Sequence, residues 1–361
     1  MPRRIILSRH ALHYRDGLVL HTASSGSVPA LDELRLVVEE DGAVAGIGAS
    51  RINIAYLSGL DAENLATAAP SLVSGLPWHG SMSAIIAACD RLLPPAPLRM
   101  LVEMAVRDVE ARLLGVPMAA LFGGTSVSSL PTNQTLFWTD DETMLARARA
   151  YLDRGFVDLK LRVGVGSVED DLRRLAALRQ LAPEATLSAD ANGQWTVGEA
   201  QSFIAGAMQV GLASLEQPLP KGDRSGLASL SGIPVMLDEE IADEEDVSWL
   251  AASHAVPLAH LKLAKLGGLD RLISAARTLH ASGIGVMIGQ MNEGLPSTLA
   301  AAHAAMALGI TLCELYGADG LVDDPCGTLR YEGGRLYVLP GPGLGITHIG
   351  HGGEILWEHT A

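Results

Sequence analysis

The stretch ATLSADANGQWTVGEAQSFIAGAMQVGLASLEQP, residues 185–218, decides the reading of this chain. It opens and closes on short apolar runs, ATLSAD and LASLEQP, and each run leads into a carboxylate, Asp190 and Glu216. Between them lies a segment of helix length. Run, helix-sized segment and run make the repeat of a parallel sheet, because parallel neighbours need a long crossover. The same unit recurs on both sides. Upstream stand LPTNQTLFW (130–138) and FVDLKLRV (156–163); downstream stand IPVMLDE (233–239), LAHLKLA (258–264), GVMIGQM (285–291) and TLCELYG (311–317). Eight such runs in roughly 190 residues predict a modified TIM-like (β/α) barrel.

The chain before the barrel reads differently. RRIILSRHALHY (3–14) and DELRLVVEEDGAVAGIGAS (32–50) supply three strands, with Asp41-Gly42 as a hairpin turn. Residues 15–31, rich in Gly and Ser, read as a mobile loop. Helical pattern follows from about residue 61 and is clearest in PLRMLVEMAVRDVEARLLGVP (97–117). There Val102, Ala105, Val106, Val109 and Leu113 form an apolar stripe, Glu103–Arg107 and Asp108–Arg112 are i,i+4 pairs, and Gly115 with Pro117 ends the helix. The tail RYEGGRLYVLPGPGLGI (330–346) reads as a small hairpin and loop returning to this first unit. The expectation is an α+β capping domain of residues 1–125 and 325–361 over a barrel of residues 126–324.

Composition excludes several classes. Hydrophobic residues make up 48% and charged residues 19%, a folded globular balance. A net charge of −15 argues against nucleic acid, which needs a basic footprint. Cys89, Cys313 and Cys326 match no zinc or redox spacing. The start, MPRRIILSRHALHYRDG, has no apolar run of signal-peptide length, and LAAAHAAMALGITL (299–312) is too short to span a bilayer. A cytoplasmic homo-oligomer without membrane or nucleic-acid partners is expected, acting on a small molecule. No P-loop or dinucleotide fingerprint is present, since GPGLG precedes no helical pattern.

In such a barrel the chemistry sits at the C-terminal strand ends. Strands three, four and five end on Asp190, Glu216 and Asp238, the last followed by Glu239 and Glu240. Neighbouring carboxylates repel unless a cation sits among them, and oxygen donors select a hard ion, Mg²⁺ most naturally. Strand two carries Lys160 and Arg162 two residues apart, so both point to the same side. Strand six carries Lys262, with Lys265 three residues later at the start of a helix, where it reads as a surface residue. Strand seven gives Gln290 and Glu293. A metal-held carboxylate acidifies the neighbouring C–H, and a lysine of depressed pKa can take that proton. The positive charges around Lys262 are expected to push its pKa down. Substrate selectivity falls to His21, Arg51, Tyr56, Glu293 and Asp319, in the segments that would border the mouth.

These residues resemble the enolase superfamily, in particular its muconate-lactonizing-enzyme branch. LKLRVG is similar to that branch's K-x-K strand, DANGQW and LEQP to its first two ligand strands, LDEE to its third, and LKLAKLGGL to its sixth-strand lysine. LVEMAVRDVEARLLGVPMAALFGG and PGPGLGI resemble its capping helix and tail. The resemblance implies Asp190, Glu216 and Asp238, rather than Glu239, as Mg²⁺ ligands, and Lys262 as an acid/base. Two departures stand out. Strand seven lacks a histidine, and Arg162 occupies the second K-x-K position. Guanidinium stays protonated, so Arg162 suits binding of charge, while Lys160 lies deeper. One working base favours a dehydratase or cycloisomerase of a small carboxylic acid. The alternatives are a racemase or epimerase of an amino acid or its derivative, a Schiff-base aldolase using Lys262, and a non-catalytic metal-binding relative.

Overall fold

The computed structural model describes residues 3–350 and 352–360. Arg3–Leu12 pairs antiparallel with Leu31–Glu40, which pairs with Ala43–Arg51. Asp41 (φ 52°) and Gly42 (φ 77°) make the turn, both in the left-handed region that a two-residue hairpin requires. Glu354–Thr360 joins the free edge of Arg3–Leu12 and completes a four-stranded sheet. Helix Ala96–Leu113 lies against this sheet, and Gly48 sets how close it comes. A Cβ at position 48 would fall 2.0 Å from the carbonyl oxygen of Leu101. The Glu103–Arg107 and Asp108–Arg112 pairs form at 3.3 and 3.0 Å. Val102, Ala105, Val106 and Val109 are buried, but Leu113 is 64% exposed and falls outside the apolar stripe.

The barrel strands are Gln134–Leu136, Asp158–Arg162, Thr186–Asp190, Ser214–Glu216, Val235–Leu237, Leu258–Lys262, Gly285–Gly289 and Cys313–Glu314. They run parallel and neighbour one another in sequence order. The ring closes through Asn133, whose N–H donates to the Cys313 carbonyl at 3.3 Å, and through Leu315, whose N–H donates to Thr132 Oγ1 at 2.8 Å. Seven connections carry helices; the eighth strand is followed by loops and the tail, so the repeat is one helix short of eight. Helix starts are marked by side-chain caps: Asp140, Ser167, Thr196 and Asp243 each accept from the N–H three residues on.

Two segments differ from their sequence reading. Leu20–Thr22 and Gly26–Val28 form a two-stranded hairpin inside the expected mobile loop. Its turn is tied by Thr22 Oγ1, which hydrogen-bonds the Ser25 hydroxyl at 2.8 Å, and by Gly26 at φ 61°. The tail hairpin, Arg330–Glu332 with Arg335–Tyr337, pairs with Ser129–Pro131 beside the start of the first barrel strand. The chain therefore touches the barrel floor before it reaches the capping sheet. Among the described residues no helix is long and apolar enough to cross a membrane.

Candidate active site

Strand register builds the site. Arg162 lies opposite Asp190, Asp190 opposite Glu216, Lys262 opposite Gly289, and Gly289 opposite Glu314. All of these charged side chains are buried, which physical chemistry permits only if they pair. They do. Lys160 Nζ sits 3.1 Å from Glu216, 3.6 Å from Asp190 and in contact with Glu314. Arg162 donates to Asp190 and lies over Phe137, its carbon 6.0 Å from the ring centre. Lys262 Nζ donates to Asp238 Oδ2 at 2.5 Å. Lys265 donates to Asp238 Oδ1 at 2.7 Å and to the His260 carbonyl at 2.8 Å. That corrects the surface reading of Lys265. The one-turn helix Leu263–Leu266 folds it back beneath the fifth strand's carboxylate.

Two residues that the sequence reading passed over belong to this network. His260 Nδ1 lies 2.8 Å from Glu216 Oε1, and Glu314 accepts from the Asn133 side-chain amide at 2.9 Å. Both were signalled: His260 shares strand parity with Lys262, and Glu314 ends its strand as the other carboxylates do. Gly289 leaves room for the imidazole, since a Cβ there would sit 1.9 Å from His260 Nε2.

The electrostatics follow from burial and pairing. Burial pushes the Asp190 carboxyl up to about 6, with Arg162 only partly offsetting it. Burial beside Asp238 and Asp190 pushes Glu239 up to about 8. Burial also opposes charge on Glu216 and Asp238, but Lys160 and His260 hold the first low and Lys262 and Lys265 the second. Lys262 is raised above the usual lysine value, because Asp238 and Glu216 outweigh its burial. This reverses the expectation of a depressed pKa. The carboxylates around Lys262, the contacting Asp238 first among them, decide the direction.

A cavity of about 30 Å³, partly open to solvent, covers the strand ends. Arg162, Asn192, Asp238, Glu239, Lys262 and Gln290 form its barrel side, and the hairpin residues Leu20, Thr22 and Val28 with Arg51 and Tyr56 form its lid. Lys160 lies below it, as its depth on the strand predicts. His21 points to the other face of its strand, its ring 5.2 Å from Trp138, while Leu20 and Thr22 face the cavity. Glu293 is buried away from the lining, its Oε2 accepting from the Met291 N–H at 3.2 Å. Asp319 faces an adjoining chamber and pairs with Arg154 at 2.8 Å. Arg51 lines the cavity, yet its guanidinium is engaged with Asn53 and the Met291 carbonyl.

The donor set fits a divalent cation. Ligand atoms of Glu216, Asp238 and His260 lie within 4.8 Å of one another. Asp190 follows one strand away, turned toward Arg162. Glu239 Oε2 and His260 Nε2 are buried without partners. Carboxylates outnumbering what local cations can satisfy is the condition under which a hard ion binds.

A capped parallel barrel with paired lysines and carboxylates at its C-terminal strand ends has the layout of an enzyme active site. The chain belongs to the enolase superfamily, in its muconate-lactonizing-enzyme-like branch, whose members include cycloisomerases and epimerases: the family described as Enolase C-terminal domain-like matches residues 143–349. Muconate cycloisomerase 1 of Pseudomonas putida is 32% identical over 322 residues, spanning 86% of this chain and 84% of the relative. The L-Ala-D/L-Glu epimerase of Bacillus subtilis is 32% identical over 253 residues, spanning 68% of this chain and 69% of the relative. The structure of that epimerase in a substrate-liganded complex superposes with a TM-score of 0.87 at 28% identity, covering 96% of this chain and 99% of that one.

Proposed function

We propose that this protein is a Mg²⁺-dependent, cytoplasmic, homo-oligomeric enzyme that removes the proton α to the carboxylate of a small acid. Lys262 is its single base, and the reaction ends in cycloisomerisation or in elimination of a β-substituent. One observation carries this reading: Lys262 and Arg162 line the same cavity, and only the lysine can exchange a proton. Asp190, Glu216 and Asp238 would hold the ion, with His260 beside them. A divalent ion held by these residues would supply positive charge against the substrate carboxylate and against the charge that builds up as the α-proton leaves. Lys262 starts as an ammonium held by Asp238, so it acts as a base only once parted from that carboxylate. Arg162 keeps its charge and binds a substrate carboxylate or developing ene-diolate oxygen. The hairpin lid with Tyr56 limits water.

Epimerisation of an amino-acid derivative is the second reading, supported by the epimerases among the relatives. It needs a base on each face of the α-carbon, and Arg162 stands where the second would be. Both readings are tested by incubating the Mg²⁺-loaded enzyme in D₂O with unsaturated dicarboxylic acids, hydroxy acids, N-acyl amino acids and dipeptides. Proton NMR should show α-exchange or product with the α-configuration retained; a scrambled configuration establishes the epimerase. Glu216→Gln, Asp238→Asn and Asp190→Asn should each weaken Mg²⁺ by more than about 100-fold in calorimetry, beyond the usual cost of losing an outer-shell partner. Wild-type affinity in these variants would remove the metal assignment.

A further inference from the structure

The helices after barrel strands one, two, three and five cap themselves, through Asp140, Ser167, Thr196 and Asp243. The helices after strands six and seven, Leu269–Ala281 and Leu295–Leu308, do not. Each begins at a glycine, Gly268 or Gly294, with no side-chain cap of its own. The capping domain supplies what they lack. Glu103 of helix Ala96–Leu113 accepts from the Leu269 N–H at 2.9 Å and from the Asp270 N–H at 3.3 Å. Glu33 of strand Leu31–Glu40 accepts from the Gly294 N–H at 2.7 Å. Neither helix start has room for a side chain of its own. A Cβ at Gly268 would stand 2.6 Å from Glu103, on a backbone at φ 133° that L residues rarely adopt. One at Gly294 would stand 2.7 Å from Glu33.

The grip after strand six has two arms and lies next to the site. Arg99, one helical turn before Glu103, donates to the Gly267 carbonyl at 2.6 Å and to the two oxygens of Asp270 at 2.8 and 3.0 Å. Arg99 and Glu103 are both buried. Together they hold Gly267–Asp270 by its carbonyl and its amides. That turn continues the one-turn helix Leu263–Leu266, which the Gly267 N–H closes by donating to the Leu263 carbonyl at 2.7 Å. Lys265 sits on that helix and reaches back to Asp238 Oδ1 and to the Asp238 and His260 carbonyls. A helix start without partners for its N–H groups frays. Fraying here would free Lys265 and leave Asp238 to Lys262 alone. Resting on the reading of Lys262 as the base, we propose that Arg99 and Glu103 are positioning residues. The capping helix clamps the turn after strand six, keeps Lys265 on Asp238, and so keeps Lys262 the releasable amine.

The chain holds four lysines, Lys160, Lys221, Lys262 and Lys265, so amine modification can be followed residue by residue. Native protein is treated with acetic anhydride and each lysine scored by mass spectrometry, beside hydrogen exchange of residues 263–272. In wild type the exposed Lys221 should react and the buried Lys265 should stay protected. Glu103→Gln turns one accepting oxygen into a donor. It should speed exchange at 263–272 by about two- to thirtyfold, the range of one helix N-cap. Lys265 acetylation should rise with it. Lys160, also buried, is the internal reference and should stay protected, because the helix after its strand caps itself. Arg99→Met, which removes the other arm, should act in the same way, and it carries the test if Glu103→Gln does not fold. Thr196→Val, which removes a cap elsewhere, should leave Lys265 protected. Lys265 protection unchanged in the clamp variants overturns the proposal, and so does a parallel rise at Lys160, which would mean general loosening. With a substrate in hand, Glu103→Gln should slow α-deuterium exchange severalfold, and an unchanged rate with Lys265 loosened overturns the positioning role. A wild type without α-exchange defeats the proposed function instead, and the labelling alone then decides whether the clamp holds Lys265.

Discussion

Strand two brings two cations to the carboxylate cluster, strand six and the helix turn after it bring two more, and the two pairs are held in opposite ways. On strand two, Lys160 is enclosed by Glu216, Asp190 and Glu314, and Arg162 is fastened to Asp190. On strand six, Lys265 is the enclosed one, held by Asp238 and by backbone carbonyls. Among the described residues Lys262 has Asp238 as its one close carboxylate partner, on a different oxygen from Lys265. A cation with several acceptors is fixed; a cation with one can be released. On the proposed function, proton transfer falls to the least encumbered amine, while the other three positive charges keep the carboxylate cluster from repelling itself.

The sharpest way to break this comparison is Lys262→Ala. It should lower α-deuterium exchange by about 10²–10⁴-fold, the range of a general base, with Mg²⁺ affinity retained in calorimetry. Exchange at the wild-type rate would move the base elsewhere, with Lys160 next in line. Lys160→Met probes the enclosed partner. It leaves three buried carboxylates short of a cation and should cost about 3–5 kcal/mol in denaturant unfolding. Lys262→Met, which frees one carboxylate that Lys265 still holds, should cost less. Equal losses would erase the distinction between the two lysines.

A third test concerns the strand-seven loop that Arg51 and Glu293 support. Burial raises Glu293 from the ordinary 4.5 to about 7, so the folded protein favours its neutral form. The sign follows from linkage. Below pH 4.5 the side chain is protonated whether folded or unfolded and costs nothing. As pH rises toward 7 the unfolded chain ionises first and stability falls. At about 1.4 kcal/mol per pH unit the loss approaches roughly 3 kcal/mol. Glu293→Gln should therefore gain on wild type between pH 5 and 8 in thermal or urea unfolding, and a gap independent of pH would contradict it. The smallest effect is expected from Arg162→Lys. It keeps a cation beside Asp190 and should retain turnover within about tenfold, the worth of roughly 1.4 kcal/mol. It supplies a second amine, so product analysed by chiral chromatography should begin to racemise. Unchanged stereochemistry would show that position 162 lies out of reach of the α-carbon.

The sequence by itself determined the barrel, the carboxylates at its strand ends and the lysine at the end of strand six. These are local facts: alternating parity, helix-length spacers and strand-end position are all written in neighbouring residues. The Asp41-Gly42 hairpin and the paired charges of the capping helix were legible for the same reason. Tertiary structure alone decided the partnerships. Whether Lys265 was surface or core depended on a one-turn helix folding it under Asp238. Which of His21 and Leu20 faced the cavity depended on the register of a hairpin read as a loop. The direction of the Lys262 shift depended on contact with Asp238 from another strand, because Coulomb energy follows distance in space and a chain does not record it.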